Sequence, residues 1–219
     1  MARRIVKRAM RSGSGIRTGG FSNPTRSLEM KFIDTIVTSI TVHPLGGGAV
    51  IQLLNGIAPG SAANQRIGRK VTMKRLTFSI AIQYPATSAG VATFARFMIV
   101  YDRQTNAANP GMTDILDANT IEAQVNLSNR DRFKILKNWT FKVGPAVTTT
   151  NSAVPNVYIK RFTMRLPKDA QEVTFNSGTA GTVADIATGG LFLACITGGG
   201  IATAGASGNM SNRIRYTDV

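Results

Sequence analysis

A cluster of basic side chains lies within residues 65–75, which read QRIGRKVTMKR and contain no acidic residue. Arginine and lysine donate charge-assisted hydrogen bonds to phosphate groups, and arginine can contact one phosphate through two parallel N–H donors. The cluster therefore predicts contact with a polyanion. For any single residue, a solvated surface charge remains the alternative. The members of the cluster are Arg66, Arg69, Lys70, Lys74 and Arg75.

The first 26 residues form a second basic region, with seven basic side chains and no acidic one. Residues 2–11 carry a narrow apolar stripe, which predicts a short basic helix that becomes ordered against a partner. Residues 12–24, SGSGIRTGGFSNP, have the composition of a flexible linker. We therefore predict a basic arm at 1–26 and a folded domain at 27–219, with a disordered tail as the alternative for the arm. The predicted nucleic-acid-binding residues of the arm are Arg3, Arg4, Lys7, Arg8, Arg11 and Arg17.

The charge excess extends through the whole chain of 219 residues, whose formal net charge is +15 at pH 7. Beyond residue 30 there are still 19 basic residues against 10 acidic ones. Such a balance favours nucleic acid or an anionic membrane surface as the partner. The longest uncharged stretch, 186–212, is strongly apolar only at LFLACI, which is too short to span a bilayer. We therefore expect a nucleic-acid partner and no membrane association.

Residue types that carry catalysis or bind metals are scarce. His43 is the single histidine, and Cys195 is the single cysteine, so no intrachain disulfide can form. Cys195 lies in an apolar run, where a small core residue is expected. The glycine runs at 46–48 and 198–200 lack the following Lys-Ser/Thr of a phosphate-binding loop. These observations predict that the protein is not an enzyme.

The folded domain has the period-two pattern of half-buried strands. In residues 76–84, large apolar side chains alternate with polar or small ones, whereas residues 94–102 are apolar on both faces and predict a central strand. Long connections favour Greek-key crossings, so the predicted fold is all-β: an eight-stranded antiparallel jelly-roll sandwich. One short helix is expected near 113–118, with Thr113 as its N-cap. The eight predicted strands are 31–42, 76–84, 94–102, 132–143, 156–166, 171–175, 190–197 and 212–219.

Four motifs in order along the chain resemble those of small icosahedral virus coat proteins. They are LLNGIAPGSAANQRIGRKVTMKRL (53–76), FARFMIVYDRQTNAANPGMTDIL (94–116), RDRFKILKNWTFKV (130–143) and YTDV (216–219). The pattern is similar to capsid proteins of circular, Rep-encoding single-stranded DNA viruses (circovirus- and geminivirus-like) and to coat proteins of the satellite tobacco necrosis virus type. Asn138 stands where those proteins usually have aspartate.

The resemblance implies a shell subunit, with sixty copies in a T=1 particle whose basic arms reach the packaged single-stranded genome. Under this reading DNA is favoured over RNA, the protein resides in the virion, and the arm can serve as a nuclear localisation signal during assembly. The resemblance also implies a calcium site where subunits meet. Its carboxylates would be Glu29 and Asp218, with carbonyl oxygens from Ile67 and Lys70. The alternative is that these acids pair with nearby arginines.

Two rival interpretations remain at this stage. A monomeric cellular nucleic-acid-binding β-domain would use the same charge without forming particles. A jelly-roll enzyme or lectin would need a histidine and acid cluster or an aromatic cleft, and the sequence has neither. Whether the cluster at 66–75 faces the genome or a neighbouring subunit is also left open.

Overall fold

The computed structural model describes residues 29–42, 50–83, 93–143, 148–149, 152–153, 157–198 and 206–218. Within these ranges most of the regular structure is β-strand. The one α-helix there, α1, spans Met112–Ile115, and short 3-10 turns occur at Leu127–Asn129, Lys168–Ala170 and Val183–Asp185. The strands are β1 (Met30–Val42), β2 (Val50–Leu53), β3 (Lys70–Gln83), β4 (Thr93–Asp102), β5 (Phe133–Val143), β6 (Thr148–Thr149), β7 (Ser152–Ala153), β8 (Val157–Arg165), β9 (Glu172–Phe175), β10 (Ile186–Thr188), β11 (Gly190–Gly198) and β12 (Ala206–Asp218).

These strands form two antiparallel sheets. Sheet A has the order β1-β12-β3-β9-β10, and β8 pairs with β3 beside β9. Sheet B has the order β2-β11-β4-β5, and β6 and β7 form a separate ribbon. Strands far apart in sequence are neighbours in space, as when β1 pairs with β12. The predicted all-β antiparallel sandwich is confirmed, while the jelly-roll wiring stays a prediction.

All eight predicted segments are strands, but the predicted count of eight is wrong. The short strands β2 and β10 and the β6–β7 ribbon escaped the sequence pattern because two to four residues do not establish a period. β3 begins at Lys70 and β12 at Ala206, each six residues earlier than predicted. The beginning of β12 is rich in Gly, Ser and Asn, which are poor strand formers held here by pairing on both sides.

The main core lies between the two sheets. In β3, Leu76, Phe78, Ile80 and Ile82 are all buried, as their alternation predicted. Aromatic rings continue this core, and the Phe97 and Trp139 rings stack with centroids 5.7 Å apart. Cys195 is buried in the same core, where burial raises the pKa of its thiol, in agreement with its predicted role as a small core residue.

A second apolar cluster covers the outer face of sheet B. The connection from β4 to β5 folds over this sheet and places Met112, Ile115 and Leu116 against side chains of β4 and β11. β4 is therefore buried on both faces between β11 and β5, which confirms it as a central strand.

Polar side chains fasten this connection to sheet B. Arg96 of β4 donates to the carbonyl oxygens of Ile121 (3.0 Å) and Ala123 (2.6 Å), and its Nε donates to Oδ1 of Asn138 (3.1 Å). Arg132 donates from Nε and Nη2 to the two carboxylate oxygens of the fully buried Asp102, each at 2.9 Å. The interior of the connection and its last residue are thus tied to β4.

The N-cap of the short helix α1 lies two residues earlier than predicted. Gly111, in extended conformation, is the N-cap, and the Asp114 carboxylate accepts a hydrogen bond from the Gly111 N–H at 2.7 Å. The prediction of Thr113 as N-cap is wrong because the acid three residues after Gly111 satisfies the free N–H at the helix start. In the described ranges, no helix has the length and apolar character needed to cross a membrane.

Candidate nucleic-acid interface

A β-bulge turns two adjacent basic residues of β3 away from the core. Arg75 lies opposite Arg215 of β12, and Met73 lies opposite the next residue, Tyr216, so Lys74 has no partner of its own in β12. Such an extra residue shifts the alternation of the strand. The buried positions of β3 therefore step by three, from Met73 to Leu76, and leave both Lys74 and Arg75 between them.

The pairing of three strands places three arginines side by side on the outer face of sheet A. Arg75 of β3 lies opposite Arg215 of β12 on one side and opposite Arg165 of β8 on the other. All three side chains are exposed. Neighbouring strands are about 4.8 Å apart, and like charges directly opposite one another destabilise a sheet. We call these three residues the arginine row.

No acid neutralises the arginine row among the residues that the structure describes. Salt bridges in those ranges use other arginines and lysines, and the nearest acid on this face of β1, Asp34, is engaged with Arg213. The row opens onto a groove of about 420 Å³, which we call the basic groove. Its lining includes the arginine row together with Met30, Lys74 and Lys168. The groove presents five basic side chains and suits a phosphate-rich ligand.

Arg213 lies on the same face but has a carboxylate partner. Its Nε and Nη2 donate to the two oxygens of Asp34, each at 2.7 Å. The hydrogen bond from Arg213 lowers the pKa of Asp34, and the same contact raises the pKa of Arg213. Arg213 is therefore held in one orientation at the edge of the arginine row.

Arg66, which the sequence assigned to nucleic acid, lies in the interior. It is 4% exposed, and its guanidinium lies 4.4 Å from the Phe175 ring centroid. Its N–H groups donate to the carbonyl oxygens of Ile57, Gly68 and Gly178 at 3.2, 2.9 and 3.1 Å. Burial lowers the pKa of Arg66, and the Asp185 carboxylate opposes that shift. Arg66 therefore joins two loops, and we do not include it in the proposed nucleic-acid interface.

The other members of the cluster at 66–75 separate into two groups. Lys74 and Arg75 line the basic groove. Arg69 and Lys70 are exposed at the start of β3, where the Arg69 carbonyl accepts from the Phe175 N–H and Lys70 pairs with Thr174 of β9. They lie at the end of sheet A rather than in the groove. Their contact with nucleic acid stays a prediction.

The acids of the predicted calcium site are placed differently from each other. Asp218 Oδ2 accepts from the buried Lys31 ammonium at 2.9 Å and from the Ile67 N–H at 3.3 Å. Glu29 is exposed just before β1. No group of three or more His, Cys, Asp or Glu residues suited to a metal occurs in the described ranges. The calcium site stays a prediction, in which Lys31 would compete for the Asp218 carboxylate.

The arm assignments and His43 lie outside the described residues. Within the described sheets, sequence reasoning left Arg165 and Arg215 out of the predicted binding set. The alternation of RFTMR (161–165) and RIRYTD (213–218) does show that their arginines share a face. What it cannot show is the register that brings Arg165 and Arg215 to either side of Arg75.

A match to a known protein family extends over almost the whole chain. The sequence model of the geminivirus coat protein/nuclear export factor BR1 family matches residues 1–217. No curated protein matches the sequence.

Proposed function

Since this chain belongs to the geminivirus coat protein/nuclear export factor BR1 family and is therefore a viral capsid protein, we propose that it packages single-stranded nucleic acid inside a T=1 shell of sixty copies. Membership of this family confirms the resemblance to capsid proteins of circular single-stranded DNA viruses. Coat proteins of this family are structural rather than enzymatic. The contacts with nucleic acid are made to phosphates and do not depend on sequence.

The observation that carries this proposal is the arginine row. Three guanidiniums at one register repel each other, and no described acid offsets them. A polyanion supplies the missing negative charge, and contacts of this kind are independent of base sequence and sensitive to salt. The proposed packaging surface is therefore the outer face of sheet A, with Arg75 and Lys74 as its members from the cluster at 66–75.

The strand order supports a jelly-roll shell domain at 27–219. The longer strands β1, β12, β3 and β8 lie side by side in sheet A, and β2, β11, β4 and β5 form sheet B. These eight strands, set four to a layer and joined by long crossings, match the arrangement of a double Greek key, with β9 and β10 added to sheet A. In this proposal, closed symmetry lets one chain build the whole shell.

The position of the first described strand supports a role for the arm at 1–26. Met30, which begins β1, lines the basic groove. The chain therefore enters the sandwich beside the arginine row, and the seven basic residues of the arm precede it directly. We propose that arm and groove contact the same packaged strand.

The total charge is of the right order for packaging. Sixty copies at +15 each carry on the order of 900 positive charges, against one negative charge per nucleotide. That number offsets a large part of a genome of about one to two thousand nucleotides. A DNA genome is the favoured cargo, given the family.

Electron microscopy of the purified full-length protein, together with its absorbance ratio at 260 and 280 nm, tests the proposal. Uniform spherical shells with a high ratio are expected, and sequencing of nuclease-protected material then identifies the cargo. A monomer carrying nucleic acid would favour a monomeric nucleic-acid-binding β-domain instead. A monomer that binds nothing at low salt would contradict both.

The arm also leads to a proposal about localisation. Its density of arginine and lysine is that of a nuclear localisation signal. Deletion of residues 1–20 should abolish nuclear import of a fluorescent fusion of the full chain. Unchanged import would rule the signal out.

A further inference from the structure

The outer face of sheet A carries an apolar stripe beside its arginines. Along β1, the outward positions include Met30, Phe32 and Ile36, which are 54%, 38% and 71% exposed. We call these three residues the β1 stripe. On the neighbouring strand β12, Arg215 lies opposite Phe32 and Ser211 opposite Ile36. The β1 stripe runs along its strand and the arginine row runs across the sheet, so the two meet where Phe32 lies opposite Arg215.

Phe32 is held in a defined position where the β1 stripe meets the arginine row. The Arg213 guanidinium lies 4.8 Å from the centroid of the Phe32 ring. The bidentate contact with Asp34 fixes that guanidinium, so Phe32 and Arg213 form a preorganised pair. An aromatic ring and a guanidinium are the two side-chain surfaces on which unpaired bases stack.

We infer that this face distinguishes single-stranded nucleic acid from other polyanions, because the β1 stripe contacts bases while the arginine row contacts phosphates. The inference rests on the proposed packaging function and deepens it. A single strand exposes both anionic phosphates and flat apolar bases, which matches an apolar stripe that meets a row of arginines. A duplex hides its base faces and offers only phosphates to the arginine row.

The charge of the surroundings favours a nucleic-acid occupant over a protein surface. A second protein that covered the β1 stripe would also bury Arg215 at its edge, and that charge has no salt-bridge partner among the described residues. Burial of unpaired charge is costly. A single strand brings the compensating phosphates with it.

Three fluorescent probes of equal length test the inference on the full-length chain: oligo(dT) of about 20 nucleotides, an abasic oligomer with the same phosphates, and the corresponding duplex. Wild-type protein should bind oligo(dT) roughly tenfold more tightly than the abasic oligomer, since the abasic oligomer has no bases to stack on side chains. The duplex should show no such advantage. Equal affinity for oligo(dT) and the abasic oligomer would overturn the inference.

Variants locate the effect. The double substitution Phe32→Thr with Ile36→Thr should bring the ratio of the two affinities close to one and leave abasic binding unchanged. The matched control is Ile159→Thr, because Ile159 is 55% exposed on the same face but lies on β8, away from the β1 stripe. Its ratio should equal that of wild type. Phe32→Trp retains a stacking ring and should preserve the ratio, which separates loss of stacking from damage to the fold.

The remaining outcomes separate this inference from the proposed function. If arginine variants abolish all binding while the wild-type ratio is one, packaging by phosphate contacts stands and the base contact is wrong. If the Phe32→Thr and Ile36→Thr substitutions change particle assembly but not the ratio, a second copy of the chain covers the β1 stripe, and the inference fails.

Discussion

The outer face of sheet B is covered by the connection between β4 and β5, whereas no segment among the described residues covers the outer face of sheet A. On sheet B, Met112, Ile115 and Leu116 complete a second apolar core. On sheet A, the side chains that point outward include Arg75, Arg165 and Arg215. A covered face needs apolar side chains that pack against the covering segment. A face with an excess of positive charge is stabilised by a negatively charged partner.

Basic residues on the two faces look alike in the sequence but differ in their neighbours in the structure. Arg96 of β4 and Arg132, which directly precedes β5, donate to carbonyl or carboxylate oxygens of the same chain. The arginine row on sheet A has no such partner among the described residues. Charge alone therefore does not identify a binding residue, and the absence of an internal acceptor is the better criterion.

The largest expected effect is on the covered side. Asp102→Ala removes a fully buried carboxylate and leaves Arg132 without its bidentate partner, so we expect a loss of about 3 kcal/mol in the free energy of unfolding. Chemical denaturation followed by circular dichroism measures it. Asp169→Ala, which removes an exposed pair with Lys134, serves as the control and should shift the midpoint much less. Equal shifts for the two variants would contradict the structural role of Asp102.

Arg66 gives the sharpest separation of structural from binding arginines. Arg66→Met leaves several loop carbonyl oxygens without their donor, and we expect a loss of about 2–3 kcal/mol in stability. The salt dependence of nucleic-acid binding should remain that of wild type. The control, Arg69→Met, should leave stability unchanged because Arg69 is exposed. If the Arg66→Met protein were as stable as wild type but bound nucleic acid more weakly, Arg66 would be a binding residue rather than a structural one.

Removing one member of the arginine row should have a small effect of opposite sign. Arg75→Gln relieves two cross-strand repulsions and should leave stability unchanged or raise it by under about 1 kcal/mol. Denaturation in the absence of nucleic acid checks this. A clear loss of stability would mean that Arg75 has a structural partner.

The smallest effect concerns pH. The hydrogen bond from Arg213 lowers the pKa of Asp34 below 3.8, so the stability that this contact contributes is present above pH 3.8 and is lost as the pH falls through the lower folded-state pKa. Wild type and Asp34→Asn should therefore differ slightly at neutral pH and converge in acid. A difference that persists or grows below that range would contradict the pairing.

The sequence allowed the strands and the buried positions to be predicted because alternation is local. The alternation of apolar and polar side chains in β3 and the apolar side chains on both faces of β4 can each be recognised from consecutive residues. The arginine row was not predictable, because it depends on a bulge at Lys74 and on the register of β12 and β8 against β3. Register is set by the whole sheet, and one residue of slip would move Arg215 to the opposite face.

The motifs that suggested a coat protein have structural roles in the described fold. The buried Asn55 side chain donates to the Gly189 carbonyl and accepts from the Leu191 N–H, each at 2.9 Å. Arg66 donates to the Gly178 carbonyl, and Asp102 accepts from Arg132. Asn138 accepts from Arg96, so an amide suffices where relatives by resemblance carry an acid. These motifs indicated the family, while the proposed binding face also includes Arg165 and Arg215, which lie outside all four motifs.

The most direct test of the central claim is the salt dependence of oligo(dT) binding by the triple variant Arg75→Gln, Arg165→Gln, Arg215→Gln. Each lost phosphate contact should lower the slope of log K against log salt by about 0.7, so the triple variant should lose about 2. A control variant with Arg103, Arg130 and Lys142 replaced by glutamine removes the same charge from exposed positions in β5 and the connection before it, and should keep a slope close to that of wild type. Equal slopes for the triple variant and the wild type would contradict the assignment of the outer face of sheet A as the nucleic-acid interface.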